Sequence, residues 1–415
     1  MVRKESAGSL ETAMINVLFV ESGRTGGGSF ESLYQHLKVI DRDRIQPTVV
    51  ALNHTRYTQL IQDLGVPLHV PTDTYLSLHA PQLPRKVAIK LKGAALRLNR
   101  LIPSAHIGVL RLVHRHLVDE LACIVRDAAI DIVHLNVQIY RDFFGLFLTE
   151  RTGVLSISHL RSANPGTRGQ FNPKMAAIGN RYVGAFVANS RMTAEYWWEH
   201  GIDPAKTRLI PNGVPSYGGP PVDVRKTWNL NSGASPLLGC VVPMRLRLKV
   251  DEFLIRGFAR FLRKWPSAML LVVGDGPVRP ILEQEAAALG VKGNIVFTGH
   301  QNNAVGILAG LDVSLEMQTK DSFSRVALET MQAGTPLVAN DLGGIRELVQ
   351  HGENGLLIEY GDEESFADTV ESVLMDKDLR SKLVENGYKT ISERFSIERY
   401  ASDMEGVYVD LVGEK

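Results

Sequence analysis

The sequence is poor in cysteine, in long apolar runs and in net charge, and each shortage excludes a class of protein. It has 2 cysteines in 415 residues, Cys123 and Cys240, and both lie among apolar neighbours. A disulfide framework is therefore excluded, and we expect both to be reduced core residues of a cytosolic protein. No apolar run approaches the ~18 residues that a membrane-spanning helix needs. The formal net charge of +1 gives no reason to expect nucleic acid as a partner.

Metal-ligand patterns and a secretion signal are also missing. The acidic pairs Asp41/Asp43 and Asp376/Asp378 do not follow a strand, as a metal-binding pair would, and no Cys/His cluster has ligand spacing. We therefore expect that no metal or other cofactor is needed. Residues 1–13 are polar and lack the apolar centre of a signal peptide, so we predict a disordered tail and a cytoplasmic protein.

Acidic residues are absent from one long stretch, between Asp73 and Asp119. The basic residues of this stretch are Arg85, Lys86, Lys90, Lys92, Arg97, Arg100, Arg111 and Arg115. Apolar residues recur beside them at helical spacing, at Val87, Leu91, Ala94, Leu98 and Leu101. A basic amphipathic helix can lie on an anionic membrane surface. Residues 85–116 therefore indicate either peripheral membrane binding or an ordinary helix that packs on a sheet with a solvated basic side.

What the chain does contain is an alternation of apolar strands and helices that occurs twice. At 415 residues it is too long for one core and suits two domains. The segment Ser216–Val222 (SYGGPPV) is rich in proline and glycine and is typical of a linker between them. Strands that alternate with helices predict α/β domains with parallel sheets.

A glycine-rich loop follows the first predicted strand, Met14–Val20. The loop carries Gly26, Gly27 and Gly28 and leads into a predicted helix, an arrangement that faces a ligand at the carboxyl edge of a parallel sheet. Glycines allow a ligand to approach the backbone closely. A dinucleotide site would need an acidic residue at the end of the second strand, and Asn53 stands there instead. The sequence therefore disfavours NAD.

Two histidines lie in the next predicted strands. His159 ends the strand Val154–His159, where ligand-facing residues collect, although a lone histidine at a strand end is often structural. His134 lies inside an apolar strand and has the weaker claim, because it could be a core histidine with satisfied hydrogen bonds. The loop Arg161–Phe171, with Arg161 and Arg168, is either an acceptor-binding loop or a plain surface loop.

The most informative stretch runs from Lys320 to Gly355. It predicts a helix over Ser322–Ala333, stopped by Gly334 and Pro336. Asp321 and Glu329 lie eight residues apart, which in a helix is roughly 12 Å and about 80° of rotation. The two carboxylates can hold one extended polar ligand at two points, and the helix mouth between them suits a phosphate. The alternative is a βαβ unit with surface carboxylates.

This stretch resembles the signature of retaining GT-B glycosyltransferases of family 4, the glycosyl transferases group 1. That pattern has an acid, seven residues, a Glu, an A-x-G-x-P turn and G-G-x-x-E. Asp321 stands where the family usually has Glu, and Gln332 where it usually has Ala. The matching residues are Glu329, Gly334, Pro336, Gly343, Gly344 and Glu347. The resemblance is strong over Phe186–Asp362 and looser before it.

The resemblance implies two facing Rossmann-like domains with a cleft between them and a final helix that crosses back to the first domain. It implies an N-terminal acceptor domain at 14–214, a donor domain at 215–394, and 395–415 returning to the first. The implied reaction moves a sugar from a UDP- or GDP-sugar to a hydroxyl of a lipid-linked or cell-surface glycan, with retention and without metal. The implied catalytic residues are His159, Arg245, Lys249 and Asp321, of which the two cations clamp the diphosphate. The implied donor-binding residues are Gly26, Gly27, Gly28, Gly274, His300, Ser322, Phe323, Ser324 and Glu329.

Rival functions remain on the same fold. An epimerase would need its own acids and His, and a phosphorylase would need a pyridoxal phosphate lysine and a much longer chain. A protein that binds a nucleotide sugar without turning it over also fits, because Asp321 is one methylene shorter than the usual Glu. A soluble small-molecule acceptor is the alternative to a lipid-linked one.

Overall fold

The strands form two separate parallel sheets. The structure is a computed structural model of the protein. It describes residues 14–23, 27–71, 103–163, 171–231, 233–244, 250–318 and 322–413. The strands of the first sheet are β1 (Ile15–Glu21), β2 (Ile45–Ala51), β3 (Leu68–His69), β4 (Ile132–Leu135), β5 (Leu155–Leu160), β6 (Ala185–Ala188) and β7 (Thr207–Leu209). The strands of the second are β8 (Leu237–Val241), β9 (Met269–Val273), β10 (Ile295–Gly299), β11 (Val313–Glu316), β12 (Leu337–Asn340) and β13 (Leu356–Ile358).

Both sheets have the strand order of a doubly wound Rossmann fold. The first runs β3-β2-β1-β4-β5-β6-β7 and the second β10-β9-β8-β11-β12-β13. Pairing is parallel from β3 to β6 and throughout the second sheet. The order reverses between β1 and β4 and again between β8 and β11. In open sheets of this kind a ligand binds at the carboxyl ends of the strands beside such a reversal.

Continuous apolar sequence explains why these strands are central. β1 reads INVLFVE, and Val17 to Val20 are completely buried. A parallel strand covered by helices on both faces needs this kind of sequence, whereas a half-exposed strand would alternate. In the second sheet, β9 (MLLVV) packs in the same way into a core that includes Phe258, Phe261 and Phe366.

Helices connect the strands. Those of the described residues are α1 (Gly28–Val39), α2 (Arg56–Asp63), α3 (Pro103–Val113), α4 (Arg115–Asp127), α5 (Phe143–Thr152), α6 (Pro173–Tyr182), α7 (Arg191–Glu199), α8 (Val224–Thr227), α9 (Phe253–Leu262), α10 (Arg279–Ala288), α11 (Ala304–Leu308), α12 (Arg325–Ala333), α13 (Glu363–Met375), α14 (Lys377–Arg394) and α15 (Ile397–Gly413). Short 3-10 turns lie at Pro204–Lys206, Lys292–Asn294 and Gly343–Glu347.

The chain divides into two compact units. Unit 1 holds the described residues of Met1–Ala188, Trp197–Arg208 and Ala401–Lys415, and unit 2 those of Asn189–Tyr196 and Leu209–Tyr400. The C-terminal part of α15 therefore belongs to unit 1. Within unit 1, its Tyr408 is fully buried and Leu411 packs against Gly184. The prediction of two Rossmann-like domains with a helical C-terminus is confirmed.

Two details differ from the sequence-based predictions. The helix predicted from Ser322 begins at Arg325, because the backbone of Ser324 is extended and its side chain caps the helix. The prediction that Cys123 is a core residue is wrong: Cys240 is buried, but Cys123 lies on the exposed side of α4.

Among the described residues, no helix is both long enough and apolar enough to cross a membrane.

Candidate functional site

A buried carboxylate, Glu21, lies at the carboxyl end of β1, where the strand order of unit 1 reverses. One oxygen accepts hydrogen bonds from the backbone N–H of Gly23 at 2.7 Å and from Ser29 Oγ at 3.1 Å. The other accepts from the side-chain amide of Asn136, which follows β4. Burial raises the pKa of Glu21 above its usual value. Glu21 thereby ties the start of the glycine-rich loop to the start of α1 and to the neighbouring strand.

Gly23 is required for this arrangement. A Cβ at Gly23 would lie 2.5 Å from Glu21 Oε1, which is closer than such atoms approach each other. The loop can therefore fold over the carboxylate only because residue 23 has no side chain. Further along, Gly27 precedes α1 and its carbonyl oxygen accepts from the N–H of Glu31 at 3.1 Å. An added Cβ at Gly28 would meet no atom within 4 Å.

A second buried carboxylate, Asp142, fixes the other side of the loop. Its Oδ1 is hydrogen-bonded to the hydroxyl of Ser22. Its Oδ2 accepts from the backbone N–H groups of Val137 at 2.9 Å and Gln138 at 3.0 Å. Burial raises the pKa of Asp142 to about 7, with a further contribution from Glu21, against the lowering effect of its hydrogen bonds. Asp142 therefore changes its charge near neutral pH.

Arg161 lies within hydrogen-bonding distance of this cluster. Its guanidinium donates to the carbonyl oxygen and to Oδ1 of Asn136, both at 2.5 Å, and to Nδ1 of His159 at 3.2 Å. The sequence left Arg161 either in an acceptor-binding loop or in a plain surface loop, and the structure shows it half-buried and held by these hydrogen bonds. A cation fixed by its neighbours beside a strand end is suited to hold an anionic or polyhydroxyl ligand.

The two histidines form a hydrogen-bonded pair. Nε2 of His134 lies 2.8 Å from Nδ1 of His159, and Nδ1 of His134 lies 2.8 Å from the hydroxyl of Tyr408 on α15. Both imidazoles are buried, at 0% and 1% exposure. Burial, followed by Arg161 and the other histidines, holds the pKa of His159 well below its usual value. The interpretation of His134 as a core histidine with satisfied hydrogen bonds is confirmed.

In unit 2, the mouth of α12 has a fixed backbone. Ser324 Oγ accepts from the N–H of Ala327 at 3.1 Å. A Cβ on Gly344, in the G-G turn, would collide with the carbonyl oxygen of Ser322. The turn and the segment before the helix therefore pack backbone against backbone, which explains why glycine is needed there. The ring of Phe323 packs edge-on against Phe395 at 6.2 Å and belongs to the apolar core.

Glu329 lies one turn inside α12 and forms an ion pair. Its carboxylate accepts from the guanidinium of Arg325 at 2.9 Å, and the two side chains are 17% and 21% exposed. Sequence reasoning did not identify Arg325 as its partner. The i,i+4 spacing was the signal that could have found it.

The carboxyl ends of the other strands of unit 2 are polar. Glu316 ends β11, is 4% exposed and is hydrogen-bonded by the amide of Gln318. Gly274 follows β9 with a left-handed φ of 136°, and a Cβ there would collide with the carbonyl oxygen of Val242. His300 is exposed after β10. These groups line the edge of the sheet where a nucleotide site is expected.

Several predicted site residues lie outside the described residues: Gly26, Arg168, Arg245, Lys249 and Asp321. The structure brings His159 and Arg161 together in unit 1, and Ser322, Phe323, Ser324 and Glu329 at one helix mouth in unit 2. Each unit thus carries part of the predicted site.

Sequence reasoning missed Glu21, Asn136, Asp142 and Tyr408. Glu21 and Asn136 follow from the rule that polar residues at strand ends face a ligand, applied to β1 and β4 as it was to His159. No local sequence pattern indicated that Asp142 or Tyr408 would belong to the site. Within the residues that the structure describes, no cluster of three or more His, Cys, Asp or Glu side chains could hold a metal.

Two family models match the chain, one in each half. Residues 26–216 match the model described as Glycosyltransferase Family 4, and residues 243–390 match the one described as Glycosyl transferases group 1. The first match begins after β1 and runs through the other strands of unit 1, and the second begins after β8 and runs through the other strands of unit 2.

Curated relatives share part of this sequence. The N-acetyl-alpha-D-glucosaminyl L-malate synthase of Bacillus anthracis is 33% identical over 166 residues, 40% of this chain and 43% of that protein. The lipopolysaccharide core biosynthesis glycosyltransferase LpsE of Rhizobium meliloti is 34% identical over 150 residues, 36% of this chain and 43% of that protein. The chain therefore spans less than half the length of each of these relatives.

Solved structures share the fold over nearly the whole chain. The crystal structure of HepE from Anabaena in complex with UDP and glucose has a TM-score of 0.75 and 21% identity, covering 95% of this chain and 99% of that one. Its complex with UDP-glucose has the same TM-score at 20% identity, covering 97% and 100%. With a family model matched in each half and the two Rossmann-type sheets described above, the chain belongs to glycosyltransferase family 4 and has the GT-B fold.

Proposed function

We propose that the protein transfers a sugar from a nucleotide-sugar donor to a hydroxyl acceptor with retention at the anomeric carbon. The observation that carries the proposal is the match of the two family models to two Rossmann-type sheets, each with polar groups at the carboxyl edge of its strands. The curated relatives named above include a glycosyltransferase, and the HepE complexes contain UDP, glucose or UDP-glucose. These names support a UDP-sugar as donor, with a GDP-sugar as the alternative.

The mouth of α12 is the proposed site of the diphosphate. The first turn of a helix has N–H groups without partners inside the helix and carries a partial positive charge, which favours an anion. Here Ser324 and Gly344 fix the backbone at that mouth. Glu329 then lies one turn further along, where its carboxylate can accept the ribose hydroxyls while Arg325 holds it in place.

The charge that develops on the leaving nucleotide is assigned to Arg245 and Lys249, and the donor-sugar hydroxyls to Asp321. These assignments rest on the family resemblance. Fixed cations stabilise a departing diphosphate without a metal ion. No separate general base is required if the departing phosphate itself takes the proton of the acceptor hydroxyl.

Metal independence has a direct test. We expect transfer to proceed at an unchanged rate after treatment with EDTA, because side-chain cations do the work of a divalent ion. Full loss of activity with EDTA, restored by Mg²⁺ or Mn²⁺, would contradict the assignment of Arg245 and Lys249.

The proposed acceptor is a lipid-linked or cell-surface glycan, bound at the carboxyl edge of unit 1 near Arg161. The basic segment 85–116 supports peripheral docking on an anionic membrane, where the acceptor would be concentrated. Arg111, in the described part of this segment, forms an ion pair with Glu150 at 2.8 Å and lies over the ring of Phe147. The charge that attracts a membrane therefore comes mainly from the other basic residues of the segment.

The class of reaction is tested with a panel of nucleotide sugars. The purified protein should bind one of them and transfer or slowly hydrolyse its sugar, which mass spectrometry of the products will show. If the purified protein binds none of these nucleotide sugars and neither hydrolyses nor transfers the sugar of any of them, the proposed function is wrong. Binding without turnover would instead favour the non-catalytic alternative.

An Asp321→Ala variant separates the two outcomes further. If Asp321 holds the donor sugar, this variant should keep nucleotide binding and lose turnover. An unchanged rate would remove Asp321 from the site.

A further inference from the structure

A chain of three hydrogen bonds joins Arg161, the two histidines and Tyr408. Arg161 and Nε2 of His134 both contact the same atom, Nδ1 of His159, at 3.2 and 2.8 Å. Nδ1 of His134 contacts the hydroxyl of Tyr408 at 2.8 Å. All four residues belong to unit 1. Nε2 of His159 makes no hydrogen bond within the described part of the chain.

The direction of each hydrogen bond follows from what each group can do. A guanidinium only donates, so Nδ1 of His159 must accept from Arg161. A neutral imidazole has one donor nitrogen and one acceptor nitrogen, so the proton of His159 lies on Nε2. Nε2 of His134 faces the same accepting atom and therefore donates to it. Nδ1 of His134 is then an acceptor, and the hydroxyl of Tyr408 donates to it.

Without Arg161, the hydrogen bonds among His159, His134 and Tyr408 could all have donor and acceptor exchanged. His159 would then donate from Nδ1 to His134, and His134 would donate from its own Nδ1 to the oxygen of Tyr408, which can donate or accept. Both arrangements have the same number of hydrogen bonds between these three side chains. Arg161 excludes the second arrangement, because its guanidinium has no lone pair that could accept a hydrogen bond from Nδ1 of His159.

We propose that Arg161, His134 and Tyr408 are positioning residues that hold His159 as the neutral tautomer with its proton on Nε2. His159 is thereby a fixed hydrogen-bond donor for an oxygen of the bound substrate rather than a proton acceptor. The substrate part of this proposal rests on the proposed function, but the tautomer does not. Burial and the adjacent Arg161 keep the imidazole uncharged, since both hold its pKa well below the usual value.

The arrangement gives the last helix a role in the site. Tyr408 lies on α15, 274 residues after His134 in the sequence, and its ring is fully buried beside Phe19. Its hydroxyl supplies the hydrogen bond that His134 needs in order to donate toward His159. A donor nitrogen held before the substrate binds needs no reorganisation during the reaction, which is how such groups contribute most.

The direct test is nitrogen NMR of the full-length protein labelled with ¹⁵N-histidine, recorded near neutral pH without ligand. Long-range couplings from the ring protons show which ring nitrogen is protonated. His159→Gln and His134→Gln variants assign the two residues by loss of their signals. We expect the wild-type protein to have Nε2–H for both histidines. A proton on Nδ1 of His159, or a cationic ring, would overturn the proposal. The tautomers themselves are measured in the wild-type protein, and the variants serve only to assign the signals.

Arg161→Met tests what sets the tautomer. It removes the donor-only group, so the nitrogen shifts of His159 should move toward a mixture of the two tautomers. Arg181→Met is the matched control, because Arg181 is an exposed arginine of unit 1 that lies over the ring of Tyr182. It should leave both histidines unchanged. If Arg161→Met also leaves the shifts of His159 unchanged, Arg161 does not set the tautomer.

Activity gives a separate readout once a donor is known. The amide of Gln can place an N–H where Nε2 of histidine lies, whereas the shorter Asn cannot. His159→Asn should therefore lose about 100-fold in kcat, the scale of one transition-state donor, while His159→Gln retains most of the rate. Equal loss in both variants would overturn the role as a donor. If no donor is found, the proposed function fails, yet the NMR result still decides the tautomer.

Discussion

The carboxylate of Glu347 accepts hydrogen bonds from the backbone N–H groups of Arg191 and Met192, both at 2.8 Å. These N–H groups open α7, and all three residues belong to unit 2. Glu347, the acidic residue of the G-G-x-x-E pattern, therefore caps the N-terminus of α7. It lies 155 residues after Met192 in the sequence. A charged acceptor at a helix N-terminus also stabilises the helix dipole.

Glu347→Ala should lower the free energy of unfolding by about 1–2 kcal/mol, because two N–H groups lose their acceptor. Glu347→Gln should cost less, since its amide oxygen can still accept one of them. Denaturant titration measures both. Glu393→Ala is the control, because Glu393 is exposed and lies 4.0 Å from Lys389. It should change stability by less than about 0.5 kcal/mol. Equal effects of Glu347→Ala and Glu393→Ala would contradict the capping role.

Gly344→Ala should damage both stability and catalysis. The new Cβ would collide with the carbonyl oxygen of Ser322 and push the segment before α12 away from its position. We expect a loss of about 1–3 kcal/mol in stability. We also expect a loss of about 100-fold in kcat/KM, the scale of a misplacement near 1 Å.

Gly293→Ala is the matched control for Gly344→Ala. An added Cβ at Gly293 meets no atom within 4 Å, and the residue lies in the same unit. Its stability and donor kinetics should stay close to those of the wild-type protein. If Gly344→Ala behaves like Gly293→Ala, the mouth of α12 does not depend on the G-G turn.

Asp142 should make stability depend on pH between about 4 and 7. Its pKa in the folded protein is about 7, above the ordinary value of 3.8. The folded state then keeps a proton that the unfolded state has already released, so the contribution to stability is greatest below pH 4 and is lost as the pH rises toward 7. Above that value it should be constant.

Asp142→Asn isolates this contribution, because it is neutral at every pH and has nearly the same shape. The difference in unfolding free energy between the wild-type protein and this variant should fall by up to about 4 kcal/mol from pH 4 to pH 7. Urea titrations across this range measure it. A difference that does not change with pH would show that Asp142 titrates normally.

Membrane binding should be electrostatic if the basic segment mediates it. The protein should sediment with anionic vesicles and not with neutral ones, and high salt should release it, because such attraction is screened within about 8 Å at physiological ionic strength. Changing Lys86, Lys90, Arg97 and Arg100 together to Gln should abolish binding and leave donor hydrolysis intact. The same change at Lys377, Arg380, Lys382 and Lys389 of α14 removes equal charge elsewhere and should leave binding intact. Binding to neutral and anionic vesicles alike, or to neither, would favour a soluble acceptor.

The sequence by itself determined the elements and the family. The first strand was predicted at Met14–Val20 and is observed at Ile15–Glu21, one residue away, since buried parallel strands are continuous apolar runs. The stop at Gly334 was also predicted correctly, because its left-handed φ of 71° favours glycine. Two domains and the resemblance to family 4 followed from length, linker composition and one local motif. All of these signals lie within short windows of sequence.

Only the tertiary structure decided which groups meet. Asn136 and Glu21 are 115 residues apart, and Tyr408 and His134 are 274 apart, so no local pattern connects them. The exposed position of Cys123 depends on which face of α4 the rest of unit 1 covers. The burial that raises the pKa of Asp142 and keeps His159 neutral also exists only after the strands and helices have packed. Sequence patterns report local conformation, whereas hydrogen-bond partners and desolvation depend on residues that folding brings together from far along the chain.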